Sequence, residues 1–87
     1  MTYRCSSNDR FRGQLSEQQF NITILFSGFR SKKVKNHLHM YFVRGVIIPD
    51  IVSFTSCDSA NLHRDIIKTA KILNFIELYN EYERIKR

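Results

Sequence analysis

His37, His39 and His63 are the side chains of this 87-residue chain best suited to hold a metal, and their spacing argues against a shared one. His37 and His39 stand two apart, which on a helix turns them to different faces and keeps them from sharing an ion. Cys5 and Cys57 lack the close cysteine pairing of a zinc or redox site and read as free thiols. Ser53, Ser56, Cys57, Asp58 and His63 contain the letters of a nucleophilic triad, yet no nucleophile elbow or flanking glycine pattern frames them. Gly13, Gly28 and Gly45 are isolated, so there is no glycine-rich phosphate loop. These residues predict no enzyme, no metal and no cofactor. Charge is the remaining signal. The chain carries a net +6, and Arg30, Lys32, Lys33, Lys35 and Arg44 fall between residues 22 and 45 with no acid among them. Such a cluster favours an anionic partner (nucleic acid, a phosphopeptide or an acidic protein) or is simply a solvated helix face.

The elements that would position these residues follow from length and periodicity. A chain of 87 residues supports one small core. Its 43% hydrophobic and 25% charged content matches a globular domain and excludes wholesale disorder. No apolar run approaches the ~20 residues of a membrane span, and the first residues lack the apolar stretch of a signal peptide, so the pattern predicts a soluble intracellular protein without membrane contact. Residues 1–19 are polar and read as a loose or edge segment. Phe20, Ile22, Ile24 and Phe26 alternate onto one face and predict a strand that stops at Ser27-Gly28. Ser31 is placed to cap a helix with the stripe Val34, Leu38, Tyr41 and Phe42, ended by Gly45. Val46-Ile47-Ile48 and Ile51-Val52-Ser53-Phe54-Thr55 read as two short strands separated by Pro49. Leu62, Ile66, Thr69, Ala70 and Leu73 predict a second helix ending near Asn74, Phe75-Ile76-Glu77-Leu78 a last strand, and Asn80 with Glu83 the capping box of a terminal helix. The order β-α-β-β-α-β-α predicts a small three-layer α/β domain over residues 20–87, with a four-stranded, mainly parallel sheet flanked by helices.

With these elements placed, residues 20–87 resemble a BRCT domain. The resemblance is carried by Phe26-Ser27-Gly28-Phe29 closing the first strand, a helix beginning near Lys32, Gly45, the strand Ile51-Val52-Ser53-Phe54, Lys68-Thr69-Ala70-Lys71 in the second helix and Asn80-Glu81-Tyr82 at the start of the last. One glycine stands where the family has a pair, and Tyr82 stands where it has tryptophan. The resemblance implies a nuclear, non-enzymatic interaction module of a DNA-repair, checkpoint or chromatin factor, docking a partner protein or a phosphopeptide. It also implies a phosphate pocket formed by Ser27, Gly28, Thr69 and Lys71, with Lys68 competing for the lysine role. A hydroxyl, a glycine amide and an ammonium converging on one point can hold phosphate oxygens by charge-assisted hydrogen bonds. Thr69 can equally bond back to its own helix, leaving both lysines solvated.

Two further readings stand beside this one. Arg30, Lys32, Lys33, Lys35 and Arg44 form a basic helix suited to nucleic-acid phosphates. The segment Asp50–Ser56 before an amphipathic helix is similar to the switch-serine segment of STAS regulatory domains. For the α/β domain of residues 20–87, removal of residues 1–14 is expected to leave the core folded.

Overall fold

Ser16, Ser31 and Asp58 each turn a loop into a helix by accepting backbone N–H groups that find no carbonyl within the first turn. The computed structural model describes residues 10–86, which form four helices and, among the described residues, no strand. These are α1 (Glu17–Ser27), α2 (Lys32–Phe42), α3 (Ile48–Thr55) and α4 (Ser59–Lys86). Cys5 and the start of the expected lead-in lie outside the described residues.

The expected α/β domain is therefore corrected: the fold is all-helical, and each segment expected as a strand lies in a helix for a local reason. In Phe20–Phe26 the period-two alternation is incidental. The face α1 buries is Phe20, Thr23, Ile24 and Ser27, a helical stripe in which two members are hydroxyl residues. Both hide their polarity by bonding back, Thr23 to the Gln19 carbonyl at 2.8 Å and Ser27 to the Ile24 carbonyl at 2.7 Å. The ends are fixed independently. The Ser16 hydroxyl accepts from the Gln19 N–H at 3.2 Å while the Gln19 side chain accepts from the Ser16 N–H at 2.9 Å, a capping box. Gly28, left-handed at φ 78°, closes the other end.

Pro49 starts α3 instead of separating two strands. In the first turn its missing N–H is no loss, and its fixed φ suits a helix. Ile48 and Ile51 face the core, and Ser56 at φ 55° ends the helix, its N–H donating to the Val52 carbonyl at 2.8 Å. Asn74 and Asn80, expected as stop and cap, lie inside the 28 residues of α4. An asparagine within a helix costs only about 0.5 kcal/mol, too little to break a stripe that continues in register through Leu73. The BRCT-like architecture falls with the sheet, and so does the sheet that a STAS-like reading requires.

The core centres on α2, which touches all three other helices. Leu38, Tyr41 and Phe42 are fully buried, the two rings meeting edge to face with centroids 4.9 Å apart. Phe20 and Ile24 pack on them from α1, Ile48 and Ile51 from α3, and Leu62 and Ile66 from α4. Residues 10–15, part of the stretch expected as loose, complete this arrangement. The Gly13 and Leu15 N–H groups donate to the carbonyls of Tyr41 and Phe42 at 3.0 and 3.1 Å, and the Arg12 guanidinium donates to the Gly45 carbonyl at 2.9 Å. Leu15 is buried and Phe11 packs against the core. Gly13 and Gly45 meet backbone to backbone, so closely that a Cβ on Gly13 would lie 3.0 Å from the Gly45 Cα.

Two stability predictions follow from this packing. Leu38→Ala and Ile66→Ala should each lower unfolding free energy by about 2–5 kcal/mol in urea melts. Gly13→Ala, left-handed and facing backbone, should lose more than the ~1–2 kcal/mol of the left-handed penalty alone. Gly28→Ala, with the same sign of φ but open space around it, should lose no more than that penalty. Equal losses at the two glycines would show that the contact between Gly13 and Gly45 contributes nothing.

Candidate nucleic-acid interface

The chain from Ile48 onward reads helix, short turn, helix. α3 is eight residues long, Ser56-Cys57-Asp58 forms the turn, and α4 follows at Ser59. The left-handed Ser56 lets the backbone reverse within those three residues. The Asp58 carboxylate then accepts from the Ala60 and Asn61 N–H groups at 2.8 and 3.3 Å, fixing where α4 begins. Cys57, partly buried, packs against the core from within this turn. Because α2, α3 and α4 pack pairwise, the turn and the first half of α4 are held on a rigid three-helix frame.

The inward stripe of α4 fixes its outward one. Leu62, Ile66, Thr69 and Ala70 are buried. On the opposite side Asn61, Arg64, Lys68 and Lys71 follow at steps of three, four and three, all of them exposed. The Arg64 guanidinium donates to the side-chain amide oxygen Oδ1 of Asn61, so the two polar ends lie together on that face. Asp65, the one acid among residues 59–71, lies about 100° around the helix from Arg64. His63 is exposed beside this face, with its Nδ1 2.8 Å from the Ser59 carbonyl.

A second group of cations borders the first. The Lys68 ammonium sits 4.7 Å from the centroid of the Phe29 ring, which joins the outer face of α4 to the loop between α1 and α2. Arg30 lies in that loop, and Lys32 and Lys33 open α2 immediately after it, all exposed. The first turn of α2 holds no acid, so its lysines oppose the positive end of the helix dipole. Lys35 is half-buried one turn on. Arg44 follows the far end of α2, roughly 15–18 Å along the axis from Lys32, and does not share this surface.

The residues expected to hold a phosphate are thus distributed unevenly. Ser27 is buried, its hydroxyl donating to its own helix and accepting from the Phe29 N–H at 3.3 Å. Gly28 is exposed in the next position. Thr69 is fully buried, and its hydroxyl donates to the Asp65 carbonyl at 2.8 Å on the side of α4 away from the lysines. Lys68 lies over Phe29, while Lys71 borders an apolar groove with Ile22 and Phe26. Neither hydroxyl is presented to Lys68 or Lys71.

Sequence reasoning missed Asn61 and Arg64. The signal that finds them is an Asp N-cap followed by polar and basic residues at three- and four-residue steps off the apolar stripe. His39 pairs its Nε2 with the Glu17 carboxylate at 2.7 Å and packs edge-on to Phe20, tying α1 to α2. Among the described residues no three His, Cys, Asp or Glu side chains cluster to hold a metal, and no helix is long and apolar enough to cross a membrane. Comparison with protein-family models, with curated proteins and with solved structures finds no match for the chain.

Proposed function

We propose that this domain binds duplex DNA, with the first half of α4 as the groove-facing helix and Arg30, Lys32 and Lys33 on the flanking phosphates. The observation that carries the reading is the pairing of a short helix and three-residue turn with a helix whose outer face opens Asn61, Arg64, Lys68, Lys71. A helix presented this way is about 10–12 Å across with its side chains, which suits the roughly 12 Å major groove. Arg64 and Asn61 are of the types that read guanine and adenine edges through paired hydrogen bonds. Lys68 and the basic loop behind Phe29 are of the type that neutralises phosphates and sets register. Docking of a phosphopeptide between Ser27, Thr69 and the lysines has less support, because both hydroxyls are buried and bonded to backbone.

The lysines at the start of α2 give this reading a test that separates binding from stability. Lys33→Glu places an anion at the positive end of the helix, so it should stabilise the fold by about 0.3–1 kcal/mol while weakening DNA binding. A chain in which Lys33 is only a solvated surface residue would become more stable with its binding unchanged.

Fluorescence-anisotropy titrations with labelled duplex DNA examine the interface directly. Affinity should fall with salt at a log–log slope of about −4 to −5, the value for five phosphate contacts. Lys32→Ala or Lys68→Ala should reduce that slope by about one and weaken all sequences alike. Arg64→Ala should cost about 1–3 kcal/mol on a preferred sequence and flatten the preference. Absence of binding at low salt, or indifference to Arg64→Ala and Lys68→Ala together, would overturn the proposal.

A further inference from the structure

The outer face of α4 changes character halfway along. The three- and four-residue steps that run through Arg64, Lys68 and Lys71 continue through Phe75, Leu78, Tyr82 and Ile85. The last four are exposed by between 60% and 78%, on a helix that extends past the core. Steps of three and four sustained in this way are the seam spacing by which one helix packs along another. The apolar surface does not stop at the seam. Tyr79 adjoins it and forms with Phe75 and with Ile22 and Phe26 of α1 a groove of about 630 Å³, and Ile22, Leu25 and Phe26 are exposed by 53–82%.

We infer that this face is the contact between two copies of the chain, related by a two-fold axis. The argument rests on area. Four aromatic rings at roughly 150–250 Å² each, more than half exposed, together with four similarly exposed aliphatic residues, make an apolar face on the order of 800–1,000 Å². The largest apolar patch on a typical monomer is about 300–600 Å². A standard interface removes about 800 Å² from each partner, so one further copy covers what is exposed. The seam also fits its own image, since a two-fold contact needs only one self-complementary patch. Charge limits how far the contact spreads. Arg64, Lys68 and Lys71 occupy the same face, with Asp65 turned about 100° away from Arg64, and repel their counterparts, so the copies meet over residues 75–85 and α1 while the basic halves remain free.

Sedimentation of the full chain without DNA tests this independently of the nucleic-acid reading. The chain should sediment at twice its 10.4 kDa at micromolar concentrations and dissociate on dilution. Phe75→Glu and Leu78→Glu should each weaken association at least about a hundredfold by taking an unpaired carboxylate from water. Phe54→Glu, on an equally exposed ring of α3 outside the groove, should leave it intact. Circular dichroism checks that the variants keep their helices, and Tyr82→Glu, beyond the core, replaces any that does not. A monomer at every concentration would overturn the inference, even one that captures some other protein, and so would a dimer indifferent to Phe75→Glu and Leu78→Glu.

Discussion

Leu38, Tyr41 and Phe42 lie together on one side of α2, entirely withdrawn from water, and the other three helices all contact that helix. Burying a side chain of this size contributes roughly 1.5–3 kcal/mol, a large share of the roughly 5–15 kcal/mol by which a folded domain is stable. The segment before α1 is anchored to the same residues, because the carbonyls of Tyr41 and Phe42 receive the N–H groups of Gly13 and Leu15. This brings Gly13 and Gly45 together backbone to backbone, both left-handed, and a Cβ on Gly13 would crowd the Gly45 Cα at 3.0 Å. The orientation of α4 follows. With Leu62 and Ile66 committed to α2 and α3, Asn61, Arg64 and Lys68 have no direction left but outward.

The helices centred on this cluster were legible in the sequence. Ser31 caps α2 as expected, its hydroxyl accepting from the Val34 N–H at 3.4 Å, and the stripe Leu38, Tyr41 and Phe42 is buried. Leu62, Ile66, Thr69 and Ala70 likewise face inward from α4. What misled was the treatment of β-branched and hydroxyl residues. In Phe20–Phe26 the large apolar residues alternate, yet Ile22 and Phe26 are exposed while Thr23 and Ser27 join Phe20 and Ile24 on the buried face, each satisfying its hydroxyl on a carbonyl of its own helix. Thr55 does the same on Ile51 in α3. A pattern count that treats such residues as polar sees a strand where packing makes a helix. Pro49 reads as a break only until its place in the first turn of α3 is known, where it suits a helix, and Asn74 costs too little within α4 to end it.

The site was less legible than the fold. The basic residues around Lys32 and Lys33 are evident in composition, but their proximity to α4 depends on Lys68 resting over Phe29, a contact between residues 39 positions apart. Likewise Lys68 and Lys71 were recognised as candidates, while Asn61 and Arg64 gain meaning only once Asp58 is seen to start α4. The segments expected to form separate strands and helices near the C-terminus are one rod. Its outer side is basic in the first half and apolar in the second. That division gives a single helix two surfaces of different chemistry, one suited to an anion and one to another apolar helix.

The central claim is that the first half of α4, presented by the α3 turn, is the surface that meets DNA. Amide chemical shifts recorded during titration with a short duplex examine it residue by residue. The account predicts that perturbations concentrate at residues 58–71 and 29–33, while the amides of Ile22, Phe26 and Phe75 stay unmoved. Perturbations confined to the apolar side around Phe75, or scattered evenly over every exposed cation including Arg44, would contradict it.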